Sequence, residues 1–157
     1  MKLETWLAPP GDVIPNHPLF PVLLYREVGA DDVQALFAEH SWGGSWVNGV
    51  FDFHHFHSTS HEVLGVLAGE ATLELGGPQG RSFDVRAGDV VVLPAGTGHR
   101  RATARDGFTV TGAYPAGQED YDLLRSADDA ARERIRTLPA PEQDPVGGEG
   151  VAGWRRP

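Results

Sequence analysis

Four of the seven histidines, His54, His55, His57 and His61, fall within eight residues of one another, and Glu62 follows directly. In an extended segment, side chains at i and i+2 share a face. His55 and His57 therefore point the same way, about 7 Å apart along the backbone, and can converge on one ion. Phe51 and Phe53 share that face, while Asp52, His54 and Phe56 take the other. A four-residue turn, Ser58 to His61, reverses the chain, so that the Glu62 carboxylate can swing back towards the same ion. Imidazole nitrogens with one carboxylate suit iron, manganese, nickel, zinc, cobalt or copper better than calcium or magnesium. A histidine on a strand is more often a surface or core residue than a ligand, so the pair followed by Glu62 leaves both readings open. By strand parity His61 faces away from the ion, yet its place beside Glu62 keeps it as the alternative ligand. His54 lies off the face.

Side chains set out in this way need strands to carry them. From Trp42 to Tyr114, short apolar runs alternate with Gly, Pro and Asp breakers at intervals of about ten residues. The candidate strands are 50–57, 62–68, 71–75, 82–85, 90–93, 99–104 and 109–114, a rhythm that points to a sandwich or barrel. Before them, residues 1–24 are too rich in proline to hold a helix, and 22–25 read as a short strand. Asp31 and Asp32 start a short helix, with Val33, Leu36 and Phe37 at helical spacing to about His40. After them, residues 128–138 form a helix by propensity, acidic at its start and basic later, which ends before Pro139. Residues 139–157 read equally as an ordered wrap or a loose arm.

At 157 residues the chain has the length of one domain, and 20 glycines with 12 prolines favour many short elements, hence an all-β fold. The formal net charge of −9 repels phosphate backbones, which argues against nucleic acid as a partner. With no cysteine, disulfides and thiolate metal sites are excluded. Apolar runs such as 90–93 are far below the ~18 residues needed to span a bilayer, and no leader-like stretch follows Lys2. The expectation is a soluble, cytoplasmic protein with no membrane partner. Lys2 is the only lysine, so lysine-based chemistry at the histidine cluster is excluded.

The sequence resembles the cupin superfamily. The first family motif, G-(x)5-H-x-H-(x)4-E-(x)6-G, is met by Gly49, His55, His57, Glu62 and Gly69. The second, G-(x)5-P-x-G-(x)2-H-(x)3-N, is met by Gly88, Pro94, Gly96 and His99, with Thr103 standing where the family often has asparagine. The flanks are similar to the YjlB-like bacterial branch at Ile14-Pro15-Asn16, at Pro21 to Tyr25, at Gly112 to Pro115 and at Asp144 to Gly147. The resemblance implies a single-domain cupin β-barrel (a double-stranded β-helix, or jelly roll) over 1–157. Its motifs would lie at 49–103, with an N-terminal extension at 1–41 and a C-terminal helix and arm at 127–157. It implies one divalent metal ion held by His55, His57, Glu62 and His99, with one or two coordination positions open. Gly49, Gly69 and Gly88 are expected at strand ends where turns need glycine. Tyr114, Trp42 and Trp46 are expected in the core or lining the pocket, and His17 and His40 on the surface.

The implied function is a metal-dependent enzyme acting on a small-molecule substrate, of dioxygenase or isomerase type. The alternatives are a non-catalytic metal- or ligand-binding module and a structural protein whose metal only ties strands together. A homodimer is the expected oligomer, and an N-terminal strand such as 22–25 could serve it.

Overall fold

The computed structural model, which describes residues 1–157, joins several of the expected short runs into long strands. In chain order the strands are β1 (Lys2–Trp6), β2 (Val22–Arg26), β3 (Trp42–Asn48), β4 (Glu62–Leu75), β5 (Arg81–Arg86), β6 (Val90–Leu93) and β7 (His99–Pro115). Helix α1 (Val33–Glu39) lies between β2 and β3, and α2 (Asp129–Thr137) follows β7. Strand β4 absorbs the expected strands 62–68 and 71–75, and β7 absorbs 99–104 and 109–114. The two remain paired through register shifts around Ala68. Gly69 makes this passage feasible: its φ is +72°, and an added Cβ would lie 2.6 Å from the Arg105 carbonyl oxygen and the Phe108 nitrogen. Gly49, by contrast, has no positive φ and open space around it, so no turn requires it.

The sheet order is β1-β2-β6-β4-β7-β3, with β5 paired to the second half of β4. Strands β1 and β3 are edges that do not pair with each other, so the sheet is not closed. The expected all-β barrel is thereby corrected: the fold is mixed, one open seven-stranded sheet with two helices. The expected strand 50–57 is where the difference lies. It forms only isolated bridges, His55 to His99 and Phe56 to Leu124, and divides its backbone between two partners. The Arg101 N–H donates to the Phe51 carbonyl, and the Phe56 N–H donates to the Leu124 carbonyl, each at 2.9 Å. The segment is a strap across the end of the sheet. Residues 22–25 lie in β2, between β1 and β6, and offer no free edge for the expected self-association.

At β6 both faces of the sheet are buried, which explains the unbroken apolar run of that strand. On one face Val91 and Leu93 join Leu24, Leu64, Leu73 and Leu75. On the other, Val90 and Val92 join Leu23, Val63, Phe37 and Trp154. Helix α1 begins at Asp32, whose Oδ1 accepts the Ala35 N–H at 3.1 Å, and it sets Phe37 against Gly65 of β4. Helix α2 begins likewise at Asp128 and buries Ile135 against Ile14, Phe56 and Ala95. The tail is an ordered wrap. Trp154 stacks on Phe20 at 5.2 Å, and its indole N–H donates to the Pro21 carbonyl at 2.7 Å. Burying a side chain of this kind stabilises the fold by about 1.5–3 kcal/mol. No helix is long and apolar enough to cross a membrane.

His17, expected on the surface, is only 2% exposed. Its Nδ1 accepts the Leu19 and Phe20 N–H groups at 3.0 and 2.8 Å, and its ring stacks on Phe20. His40 is half-buried, with Nδ1–H donating to the Leu36 carbonyl at 2.8 Å. Burial, reinforced by nearby His61 and Arg156, pushes His17 down to about 3. An unfolded histidine titrates near 6.5, so below that pH the unfolded state binds a proton that the folded state refuses. The contribution of His17 is therefore complete above about pH 6.5 and is lost as pH falls. Melting metal-free protein across this range should show stability falling from pH 6.5 to 4. His17→Asn, whose Oδ1 can accept the same two N–H groups, should flatten that slope by up to about 1.4 kcal/mol per pH unit. An unchanged slope would show that His17 titrates alike in both states.

Candidate metal centre

Two separate segments deliver the histidines. His55 and His57 sit on the strap, and His99 opens β7 beside them, tied to His55 by backbone bonds in both directions, at 3.3 and 2.9 Å. One ring nitrogen from each of the three lies within 4.8 Å of the others, and all three side chains are buried. Each ring also meets a backbone carbonyl through Nδ1: His55 at Phe53 (2.9 Å), His99 at Thr97 (3.0 Å) and His57 at Asp122. A carbonyl only accepts, so each Nδ1 carries the proton in the neutral ring and each Nε2 keeps its lone pair. Burial pushes His55 down to about 3, which holds it neutral. A three-histidine cluster of this tautomer is able to coordinate a divalent metal.

Glu62 opens β4 on the same side. It is 3% exposed, and its Oε1 lies 3.4 Å from His57 Nε2 and 3.2 Å from His99 Nε2, without a hydrogen-bond partner. A buried carboxylate oxygen facing imidazole lone pairs is costly unless a cation lies between them. The donor set, three nitrogens and one oxygen, fits a transition metal or zinc. A proton competes for the same place. Burial alone would raise the Glu62 pKa, but His57 and His99 outweigh it and hold the carboxyl below its ordinary range. Burial likewise opposes charge on His57, yet Glu62 raises it overall. A metal must displace that shared proton, as ligand protons are generally released on binding.

Side chains outside the histidine cluster hold these groups in place. The Tyr114 hydroxyl donates to Glu62 Oε2 at 2.8 Å, and the Trp46 indole N–H donates to that hydroxyl at 2.7 Å. Trp46 lies against Gly112, where an added Cβ would come within 2.3 Å of its Cζ2. The Asp122 carboxylate accepts the Ser58 and Thr59 N–H groups at 2.7 and 3.2 Å while its own carbonyl holds His57. Arg134 of α2 adds a bond to Ser58 Oγ at 2.9 Å. Sequence reasoning proposed Tyr114 and Trp46 only as core or lining residues and missed Asp122, which lies in neither motif.

The remaining polar candidates go elsewhere. His61 is fully buried with both nitrogens engaged: Nδ1 accepts the Ala95 N–H at 2.9 Å, and Nε2–H donates to the Pro139 carbonyl at 3.0 Å. It ties the 94–96 loop to the segment after α2 and has no lone pair left for an ion. His54 is half-buried and lies 3.6 Å from Glu74. Thr103 is exposed in a separate groove with Asp84 and Arg105. Trp42 is in the core, its indole N–H donating to the Gln143 carbonyl.

The histidines and Glu62 line a cavity of about 450 Å³. Its walls include Trp46, Leu64, Tyr121 and Leu123, with Phe51 and Arg101 also lining it. Glu62→Gln should lower metal affinity by at least the 10–100-fold typical of losing a group that merely supports a ligand. His61→Gln should keep its metal and lose stability instead, because the replacement leaves buried partners unmet. Metal content and thermal melts on the same samples check both. Metal loss in His61→Gln with retention in Glu62→Gln would reverse the assignment.

The family described as "Cupin domain" matches residues 46–110. The chain is 36% identical over 153 residues to the uncharacterized protein YjlB of Bacillus subtilis, covering 94% of this chain and 92% of that one. Among solved structures it is similar to a DUF861 family protein of Thermotoga maritima, with 20% identity and a TM-score of 0.41. That match covers 60% of this chain and 98% of the other. It is also similar to the acireductone dioxygenase of Bacillus anthracis with a cadmium ion in its active centre. There the identity is 18% and the TM-score 0.41, over 55% of this chain and 58% of that one.

Proposed function

This chain belongs to the cupin superfamily, beside the YjlB-like bacterial proteins, and on that footing we propose that it is a metal-dependent enzyme acting on a small organic molecule. In this reading His55, His57, Glu62 and His99 hold one divalent ion, drawn from iron, manganese, nickel, zinc, cobalt and copper. The observation that carries it is the convergence of the His55, His57 and His99 rings inside a cavity, with an unpartnered Glu62 oxygen beside two of them. A strut for the sheet would need the ligands but not the cavity. Bound there, the ion would supply Lewis acidity or, if redox-active, an oxygen-binding centre.

The protein's own residues bias the choice of chemistry. Tyr114 is fully buried, and its hydroxyl is committed to Glu62, so it fixes the carboxylate's orientation and is not a free base. Burial, with Glu62 next to it, raises the Tyr114 pKa further. An isomerase of the proton-transfer kind needs a base within reach of its substrate. Lysine is absent from the cavity and Tyr114 is occupied, which favours the dioxygenase type over an isomerase that would use either of them as its base. Leu64 adds a buried apolar patch to the lining.

Ferrous iron loaded without oxygen, followed by nitric oxide as a stand-in for dioxygen, tests the reading. Four protein ligands on an ion that prefers six leave open positions. A high-spin iron–nitrosyl signal is expected by electron paramagnetic resonance in the wild type, and none in His55→Ala. A wild type fully loaded with iron that gives no such signal would instead point to a closed, structural metal.

A further inference from the structure

The cavity has one cationic wall residue, Arg101, and we infer that it binds a carboxylate, so that the ligand is a small organic acid with a metal-chelating head and a second, distal carboxylate. This rests on the metal reading above and extends it to the class of substrate. Arg101 lies two residues beyond His99 on β7, so its side chain leaves the strand on the same face, about 7 Å further along. Its neighbour Arg100 takes the opposite face and is fully engaged, bound through two nitrogens to Glu74 at 2.9 and 3.1 Å and to the Asp52 carbonyl at 3.0 Å.

Arg101 has no such commitment. Its only ionic neighbour is Asp52, at 3.9 Å, and that carboxylate is 72% exposed. An exposed pair at this distance contributes little and exchanges easily for a better acceptor. Its backbone is fixed all the same, the Arg101 N–H donating to the Phe51 carbonyl of the strap. The base of the side chain is therefore fixed beside the cavity while its fork of donors remains available. A divalent ion held by three neutral imidazoles and one carboxylate, with Arg101 beside it, makes the cavity positive within a chain whose net charge is −9. Trp46, Leu64 and Leu123 line the space with apolar surface that suits a short carbon chain. An acid that chelates through a 2-hydroxy-carboxylate head uses the ion's open positions, and its distal carboxylate meets the Arg101 fork with charge-assisted bonds.

Cobalt-loaded protein gives a visible spectrum that reports ligand binding without turnover. The probes are 2-hydroxyglutarate and 2-hydroxypentanoate, which share the chelating head and differ in a distal carboxylate against a methyl group. The wild type should bind the diacid at least 10-fold more tightly. Arg101→Gln should bring the ratio close to one at unchanged cobalt content, and Arg101→Lys should keep part of it. A wild type that binds neither acid or both alike, or an Arg101→Gln protein that keeps the preference, overturns the inference. A wild type that takes up no cobalt overturns the metal reading on which it stands.

Discussion

Removing a carboxylate from water costs several kcal/mol unless cations or donors replace its lost hydration, and Glu62 is 3% exposed. Much of the surrounding structure answers that constraint. Tyr114 supplies a donor to one oxygen, and two imidazoles face the other at 3.4 and 3.2 Å. Trp46 reaches Tyr114 because Gly112 leaves room for its ring. The strap 50–57, the start of β7 and the loop around Asp122 are then fixed relative to one another. Each contributes either an imidazole or the carbonyl that sets an imidazole's tautomer.

Two kinds of histidine thus share the interior. His55, His57 and His99 give their Nδ1 protons to carbonyls and turn Nε2 inward. His61 accepts at Nδ1, donates at Nε2, and serves as a buried crosslink between two loops. His17 also accepts at Nδ1. His61 differs from the three prospective ligands in which nitrogen meets a backbone carbonyl.

The sequence made part of this visible. The i, i+2 spacing of His55 and His57 and the fixed gaps to Glu62 and His99 reflect a real juxtaposition, and strand parity placed His61 off the face. Both helices were recognisable from an acidic cap and apolar spacing. The closed barrel was not borne out, because the alternation Phe51, Phe53, His55, His57 looks like a strand, while its backbone bonds go to two different partners. Strand lengths were misread because Gly69 marks a bulge that β4 runs through. His17 carries no periodic signal, and its ring is covered by Phe20, which in turn stacks on Trp154 from the far end of the chain. Asp122 reaches His57 through its backbone carbonyl, which any residue type possesses, and its carboxylate meets Ser58 and Thr59 from outside both motifs, so no motif position marked it.

The reach of the His57 bond has a consequence in time. Its Nδ1 partner is the carbonyl of a residue 65 positions later in the chain. A ribosome adding roughly 5–20 residues per second needs about 3–13 s to produce that stretch. Until then His57 has no fixed tautomer and Ser58 no Asp122 to hold it. The histidine-rich segment therefore emerges before the carbonyl that orients His57 exists, and the arrangement of the three imidazoles belongs to the finished molecule and not to the emerging one.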